Sequence, residues 1–255
     1  MFENKNVVII GGLGSIGSAI ANHLADLKAK IIATTTDINK LSTISHKNIK
    51  GYFLADAANF DDTDNLFAKI KEEYGRIDIV INCAGSIFLK SAHQTRYEDF
   101  VKTINTNLFT AFAVVRSATK IMSGQIDQDS GNNIGGSILL FSSVATKIGL
   151  ANHEAISAAK SAINGLVISA AASYASKNIR INAIAPGLTN TKLALPITSN
   201  ITALNISKAM HPLGRIGEIS DIVNCATMLV NPQNSWITGQ IISVDGGLST
   251  IANKK

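Results

Sequence analysis

Between Ser143 and Lys160 the chain gathers a hydroxyl, an imidazole and an amine into one short stretch, Ser-Val-Ala-Thr-Lys-Ile-Gly-Leu-Ala-Asn-His-Glu-Ala-Ile-Ser-Ala-Ala-Lys. His153, Ile156 and Lys160 are spaced three and four apart, so on a helix they share one face. An imidazole there can act as a general acid. A second stretch, Gly11-Gly-Leu-Gly-Ser-Ile-Gly17, satisfies Gly-x-Gly-x-x-Gly at Gly12, Gly14 and Gly17. Glycines in that pattern let backbone approach a pyrophosphate, and amides at a following helix N-terminus face its charge. Each feature has a plainer reading beside it. Ser143 is then a strand-end hydroxyl, Lys160 a solvated lysine, and His153 a surface histidine beside an N-cap at Asn152. The glycine run is then a tight turn without a ligand.

The surrounding pattern supplies elements to hold these groups. Val7 to Ile10 is a fully apolar run of the kind buried in a parallel sheet. After the glycines, Ile16, Ile20, Leu24 and Leu27 form one helical stripe. Further strands are expected over Lys30–Thr35, Gly51–Ala55, Ile77–Ile81, Ser137–Ser142, Ile179–Ile184 and Gln240–Val244. Helices are expected over Phe60–Tyr74, Phe100–Met122, Asn152–Ser176 and Ile219–Leu229. Gly75 stands at a plausible C′ position for the first of these. This alternation implies an α/β fold, a doubly wound parallel sheet of Rossmann type in a single domain over 1–255. The polar, glycine-rich stretch 123–136 reads as a surface loop. The apolar, charge-poor segment 188–212 reads as a substrate lid.

Bulk properties narrow the class. The chain has 255 residues, 46% hydrophobic and 16% charged, enough for one large domain. The net charge of +5 fits a solvated surface, or attraction to an anionic cofactor, an acyl-CoA or an acidic carrier protein. No basic run with interleaved aromatics points to nucleic acid. The two cysteines, Cys83 and Cys225, match no metal spacing and read as buried free thiols of a reducing compartment. Neither a signal core nor a bilayer-length apolar run is evident, since Asn164 and Gly165 interrupt the stretch 162–172. The expectation is a soluble, cytoplasmic protein with a small-molecule substrate, no metal, no nucleic-acid partner and no membrane. At the end of the second predicted strand, Thr34-Thr35-Thr36-Asp37 bears on cofactor choice. An acid there hydrogen-bonds a ribose and favours NAD, whereas small hydroxyls tolerate the extra phosphate of NADP. Thr35 and Thr36 lean the reading to NADP, and Asp37 keeps NAD open.

Taken together, the motifs resemble those of the short-chain dehydrogenase/reductase family over nearly the whole chain. Gly11 through Gly17 is similar to its Thr-Gly-x-x-x-Gly-x-Gly, with Ile10 for the threonine and Ser15 for the middle glycine. Asp56-Ala57 is similar to its adenine-holding Asp-Val pair, and Asn82-Cys-Ala84-Gly85 to its Asn-Asn-Ala-Gly. Pro186-Gly187-Leu-Thr-Asn-Thr191 resembles the stretch that positions the nicotinamide. Pro212 to Gly217 and Gly239 to Gly247 resemble its C-terminal signature. The resemblance implies NADP or NAD held by Gly11, Gly14, Ser15, Ile16, Gly17, Thr35, Thr36, Asp56, Ala57, Asn82, Ala84, Gly85, Lys160, Pro186, Gly187 and Thr191. It implies that Ser143 orients a substrate oxygen, that Lys160 holds the nicotinamide ribose and that Asn107 supports a water chain. It also implies a homotetramer.

The family's catalytic tyrosine, four residues before the lysine, is here Ile156, which has no proton to give. Of the four tyrosines, Tyr52, Tyr74, Tyr97 and Tyr174, only Tyr97, in the segment after Asn82-Cys-Ala-Gly85, is expected to approach the cleft. Enoyl-acyl-carrier-protein reductases place their tyrosine seven before the lysine, where this chain has His153. In those enzymes and in 2,4-dienoyl-CoA reductases, hydride goes to a carbon–carbon double bond conjugated with a thioester. Two functions follow. One is an NAD(P)-dependent oxidoreductase acting on a carbonyl or an enoyl thioester, with an altered proton donor. The other is a cofactor-binding protein without turnover, a sensor or partner subunit.

Overall fold

The run Asn6–Ile10 forms strand β1, every residue buried. The structure, a computed structural model, describes residues 1–37, 49–54 and 56–252. Six more strands join β1: β2 (Lys30–Thr35), β3 (Ile49–Leu54), β4 (Ile79–Asn82), β5 (Gly136–Phe141), β6 (Ile179–Pro186) and β7 (Ile241–Val244). They make one parallel sheet in the order β3-β2-β1-β4-β5-β6-β7. Side chains alternate across a strand, and here both faces are covered. Val8, Ile10, Val80, Ile138 and Leu140 pack under α2 (Phe60–Tyr74), α4 (Thr110–Met122) and α5 (Glu154–Tyr174). Val7, Ile9, Ile79, Ile81 and Leu139 pack under α1 (Ser15–Asp26) and α8 (Ile219–Val230). Sheets buried on both faces need near-continuous apolar strands, as these sequences are. Truncating a fully buried side chain such as Leu24 to alanine in such a core costs about 2–5 kcal/mol.

Several boundaries differ from the sequence expectation, each for a local reason. The fourth strand starts at Ile79 instead of Ile77. The Ile77 amide and carbonyl are both taken by the buried Gln125 side chain, at 2.7 and 2.9 Å. The loop expected to be only surface thus locks the entry to β4. The first helix ends at Asp26, so Leu27 is a C-cap, 40% exposed, and leaves the stripe. The expected helix over Phe100–Met122 is three segments and begins earlier. It runs as α3 (Tyr97–Ile104), one π turn (Asn105–Phe109) and α4, with Glu98 and Asp99 in its first turn. Acids there suit the positive end of the helix dipole. The residue capping α5 is His153, not Asn152, which takes a left-handed φ of 63° just before it. Ala55, the expected end of the third strand, lies outside the described residues.

The segment 188–212 folds into a 3-10 turn (Lys192–Ala194), α6 (Leu195–Thr198) and α7 (Ile201–Met210). No residue of α7 is buried, and Leu195, Ile201 and Ile206 are exposed. With its 3-10 extension to Lys177, α5 has the length and apolarity of a membrane-crossing helix, longer than the apolar stretch the sequence suggested. Ala155, Ile156, Ala159, Lys160, Ile163, Val167, Ala170 and Ala171 of this helix are nevertheless buried in the protein.

Candidate active site

Strand order reverses between β1 and β4, and the crevice outside their carboxyl ends is where such sheets bind ligands. The glycine turn sits at that point. A Cβ on Gly17 would lie 2.4 Å from the Gly11 carbonyl oxygen, and one on Gly12 2.8 Å from the Ala33 Cβ, so neither position accepts a larger residue unstrained. Gly11 takes a φ of 68°, in the left-handed region. Gly14 caps α1 without a side chain, leaving the first amides of the helix uncovered by a side-chain acceptor. Ile16 is half-buried behind the turn. The Ser15 hydroxyl accepts from the Lys192 amide at 3.2 Å, which ties the 188–212 segment to the glycine turn.

Around the turn stand the other expected cofactor residues. Thr35 is buried, and its hydroxyl accepts from the Asp37 amide at 3.0 Å; Thr36 is exposed. Asp56 is exposed and its carboxylate accepts from the Ala58 amide, while Ala57 is buried. Asn82 is buried at the end of β4, its Oδ1 accepting from the Ala84 amide at 3.2 Å. At the end of β6, past Pro186, the Gly187 amide donates to Val244. Thr191 caps the 3-10 turn by accepting from the Ala194 amide. The cradle of glycines, uncovered helix amides and strand-end polar groups fits a dinucleotide.

Asn107, Gly85 and Lys160 converge. A Cβ on Gly85 would be 3.1 Å from the Asn107 Oδ1 and 3.4 Å from the Lys160 Nζ. The fully buried Asn107 sits in the π turn, where one extra residue is accommodated and helices often carry function. Its amide donates to the Ser86 hydroxyl at 3.0 Å and the Thr103 carbonyl at 2.9 Å, and its Oδ1 accepts from the Ser86 amide. Lys160 is buried and donates to the Phe141 carbonyl oxygen at 2.9 Å. Burial pulls its pKa down to about 8, opposed by the nearby Cys83. The Cys83 thiol is in turn pushed up to about 12 by burial, opposed by the Lys160 charge. Cys83 and Cys225 are both free and each residue is half-buried, with burial raising the Cys225 thiol as well, to about 11.

Ser143 follows β5, and its hydroxyl accepts from the Ala145 amide at 3.2 Å. Ser157 of α5 holds that turn by donating to the Ala145 carbonyl. Ile156 is buried on α5, in the helix's inward face with Lys160. His153 is half-buried, its Nδ1 2.8 Å from the Ala151 carbonyl. Tyr97 is 77% exposed at the start of α3 and is not packed into the site. The Tyr52 side chain lies outside what the structure describes. Two contributors escaped the sequence reading. Ser86 anchors Asn107, and its place directly after Asn82-Cys-Ala-Gly85 was the available signal. Asn164, one helical turn past Lys160, accepts from the Ser142 hydroxyl at 2.6 Å and donates to Thr146.

Comparison with known proteins agrees with this geometry. A family model described as enoyl-(acyl carrier protein) reductase matches residues 11–249. A 3alpha-hydroxysteroid dehydrogenase of Mediterraneibacter gnavus is 32% identical, covering 96% of this chain and 97% of that protein. A tropinone reductase homologue of Arabidopsis thaliana is 31% identical, covering 95% of this chain and 89% of that protein. The solved structure of ElxO with NADP bound superposes with a TM-score of 0.86 at 29% identity, covering 96% of this chain and 98% of that one. The chain belongs to the short-chain dehydrogenase/reductase family, whose members are oxidoreductases that use NAD or NADP.

Proposed function

We propose that this oxidoreductase reduces an enoyl thioester or a carbonyl, without the tyrosine its family uses as proton donor. The observation that carries the proposal is Ile156, buried beside Lys160 where an acid would be needed. When bound, the dinucleotide supplies the hydride. Reducing a ketone leaves an alkoxide whose oxygen must receive a proton, so it calls for a positioned acid. Adding hydride to the β-carbon of an enoyl thioester leaves an enolate instead. That oxygen needs charge stabilisation, and the proton goes to the α-carbon. A Lys160 ammonium and the Ser143 hydroxyl meet that demand, which favours the enoyl thioester of the two substrates. His153, one turn before Ile156, is the side chain assigned to proton delivery. Asn107 and Ser86 hold the water path toward Lys160. NADP is the favoured cofactor, because Thr35 and Thr36 place no carboxylate at the ribose. The cytoplasm is the proposed compartment and a homotetramer the proposed assembly.

The test begins with fluorescence titration of NADPH and NADH on the natural protein and on Lys160→Ala. Tight NADPH binding that collapses in the variant is expected. Oxidation of NADPH is then followed against enoyl-CoA thioesters and small ketones, with His153→Ala in parallel. Turnover of an enoyl thioester, slowed in His153→Ala, is the expected result. Binding without oxidation by any member of the panel would leave the second reading, a cofactor-binding protein without turnover. That reading is favoured by the same absence of a tyrosine proton.

A further inference from the structure

The amino ends of the strands carry a second concave surface, at the opposite end of the sheet from the glycine turn. A cleft of about 500 Å³ opens there, within the range of small-molecule sites. Its floor is built where β5 and β6 begin, with Ser137 and Arg180 as register partners. Ile134, Ile179 and Val230 give it apolar walls, and Trp236 at its edge is 98% exposed. Lys5, Arg76 and Arg180 line it against one carboxylate, Asp78. That carboxylate is already engaged by the Asn6 amide, Lys5 and Arg76. The Arg180 guanidinium has no ion pair among the described residues, and burial lowers its pKa. It donates to the carbonyls of Leu229, Asn231 and Ile237, capping the end of α8. That role explains Arg180 alone. Ser137 is only 4% exposed, yet its Oγ has no hydrogen-bond partner among the described residues, and neither has the buried Arg76 Nε. Buried polar atoms are nearly always paired, so two orphans lining one cationic cleft need a cause.

We propose that this cleft binds a small molecule with one anionic head, a carboxylate or a phosphate monoester, on a flat apolar ring. The head lies against Arg76 and Arg180 and accepts from the Ser137 hydroxyl; guanidinium groups suit such oxyanions. The ring rests on the exposed indole of Trp236, whose face favours a planar partner. The site is separate from the dinucleotide crevice and does not depend on which substrate the enzyme reduces.

Trp236 is the only tryptophan in the chain, so intrinsic fluorescence reports this cleft directly. The natural protein is titrated with phenyl phosphate and with benzoate, and with inorganic phosphate and benzyl alcohol as comparators. Saturable quenching is expected from at least one aromatic anion, with a dissociation constant of roughly 1 mM or tighter. Inorganic phosphate and benzyl alcohol should bind at least about tenfold more weakly. Arg76→Gln should weaken the aromatic anion by about tenfold or more with NADPH affinity unchanged, while its melting temperature falls because the buried Asp78 loses an ion-pair partner. Arg180→Lys keeps a cation at the end of α8 and gives an independent variant, expected to weaken binding likewise. Linear quenching without saturation in the natural protein would overturn the proposal. So would equal binding of benzyl alcohol or inorganic phosphate, competition by NADPH, or natural affinity in both variants.

Discussion

Lys160 concentrates the chemistry of this protein in one nitrogen. It is buried, it donates to a carbonyl rather than a carboxylate, and its pKa falls from 10.5 to about 8. An ammonium held this way still carries its proton at neutral pH, so it can meet a negative oxygen, and it should lose that ability above about pH 8. Burial of the charge also costs stability, and the sign follows from the two pKa values. Below pH 8 the lysine is protonated folded and unfolded, and the whole penalty is present. Between 8 and 10.5 the folded protein sheds the proton first, and the penalty shrinks as pH rises. Lys160→Met should therefore be more stable than the natural protein at pH 7, by roughly 3 kcal/mol. The gap should close towards pH 10.5, while NADPH binding is lost at every pH. Urea denaturation of both proteins across that range is the measurement, and a pH-independent gap would contradict the buried ammonium. Ile156 and Lys160 were both legible from their spacing in the sequence. The orientation of His153 was not, because a cap residue takes its rotamer from the loop before it, here the left-handed turn at Asn152.

The glycine turn shows how an element dictates residue type. Gly17 has no room for a Cβ, because the Gly11 carbonyl oxygen would lie 2.4 Å away. Gly17→Ala must push the turn and α1 apart, at about 1–3 kcal/mol. Denaturation should show that loss and titration should show NADPH binding abolished; natural affinity in the variant would mean the turn does not hold the cofactor. The π turn at Asn105–Phe109 makes the complementary point. Sequence spacing selected Asn107, but an α-helix was expected to run straight through it. In that turn the Asn107 amide donates to the Thr103 carbonyl, four residues back, and to the Ser86 hydroxyl, a contact that spans separate elements.

Across the whole molecule, one sheet separates two ends with different chemistry. The carboxyl ends of β1, β4 and β5 present Gly11, Asn82 and Ser143 to one crevice, and the amino ends present Lys5, Arg76 and Arg180 to the other. Phe109 of the π turn, Phe112 of α4 and Ile168 of α5 are exposed. Exposed apolar surface of this kind marks association faces. We expect a homotetramer by light scattering, and dissociation to smaller species in Ile168→Glu, a helix-surface change that should leave the fold intact. A monomeric natural protein would exclude the assembly the family resemblance implies.

The sequence by itself determined the strand–helix alternation, the glycine turn and the set of polar residues around Lys160. Those follow from periodicities of two and 3.6 residues and from fixed spacings, which are local and written into the chain. Tertiary structure alone decided that Asn107 meets Gly85 and Lys160, and that Gln125 locks the start of β4. It alone decided that Ser137 and Arg180 share the floor of a cleft. Each of these pairs residues far apart in the chain, and their proximity depends on strand order and register, which packing across the sheet selects.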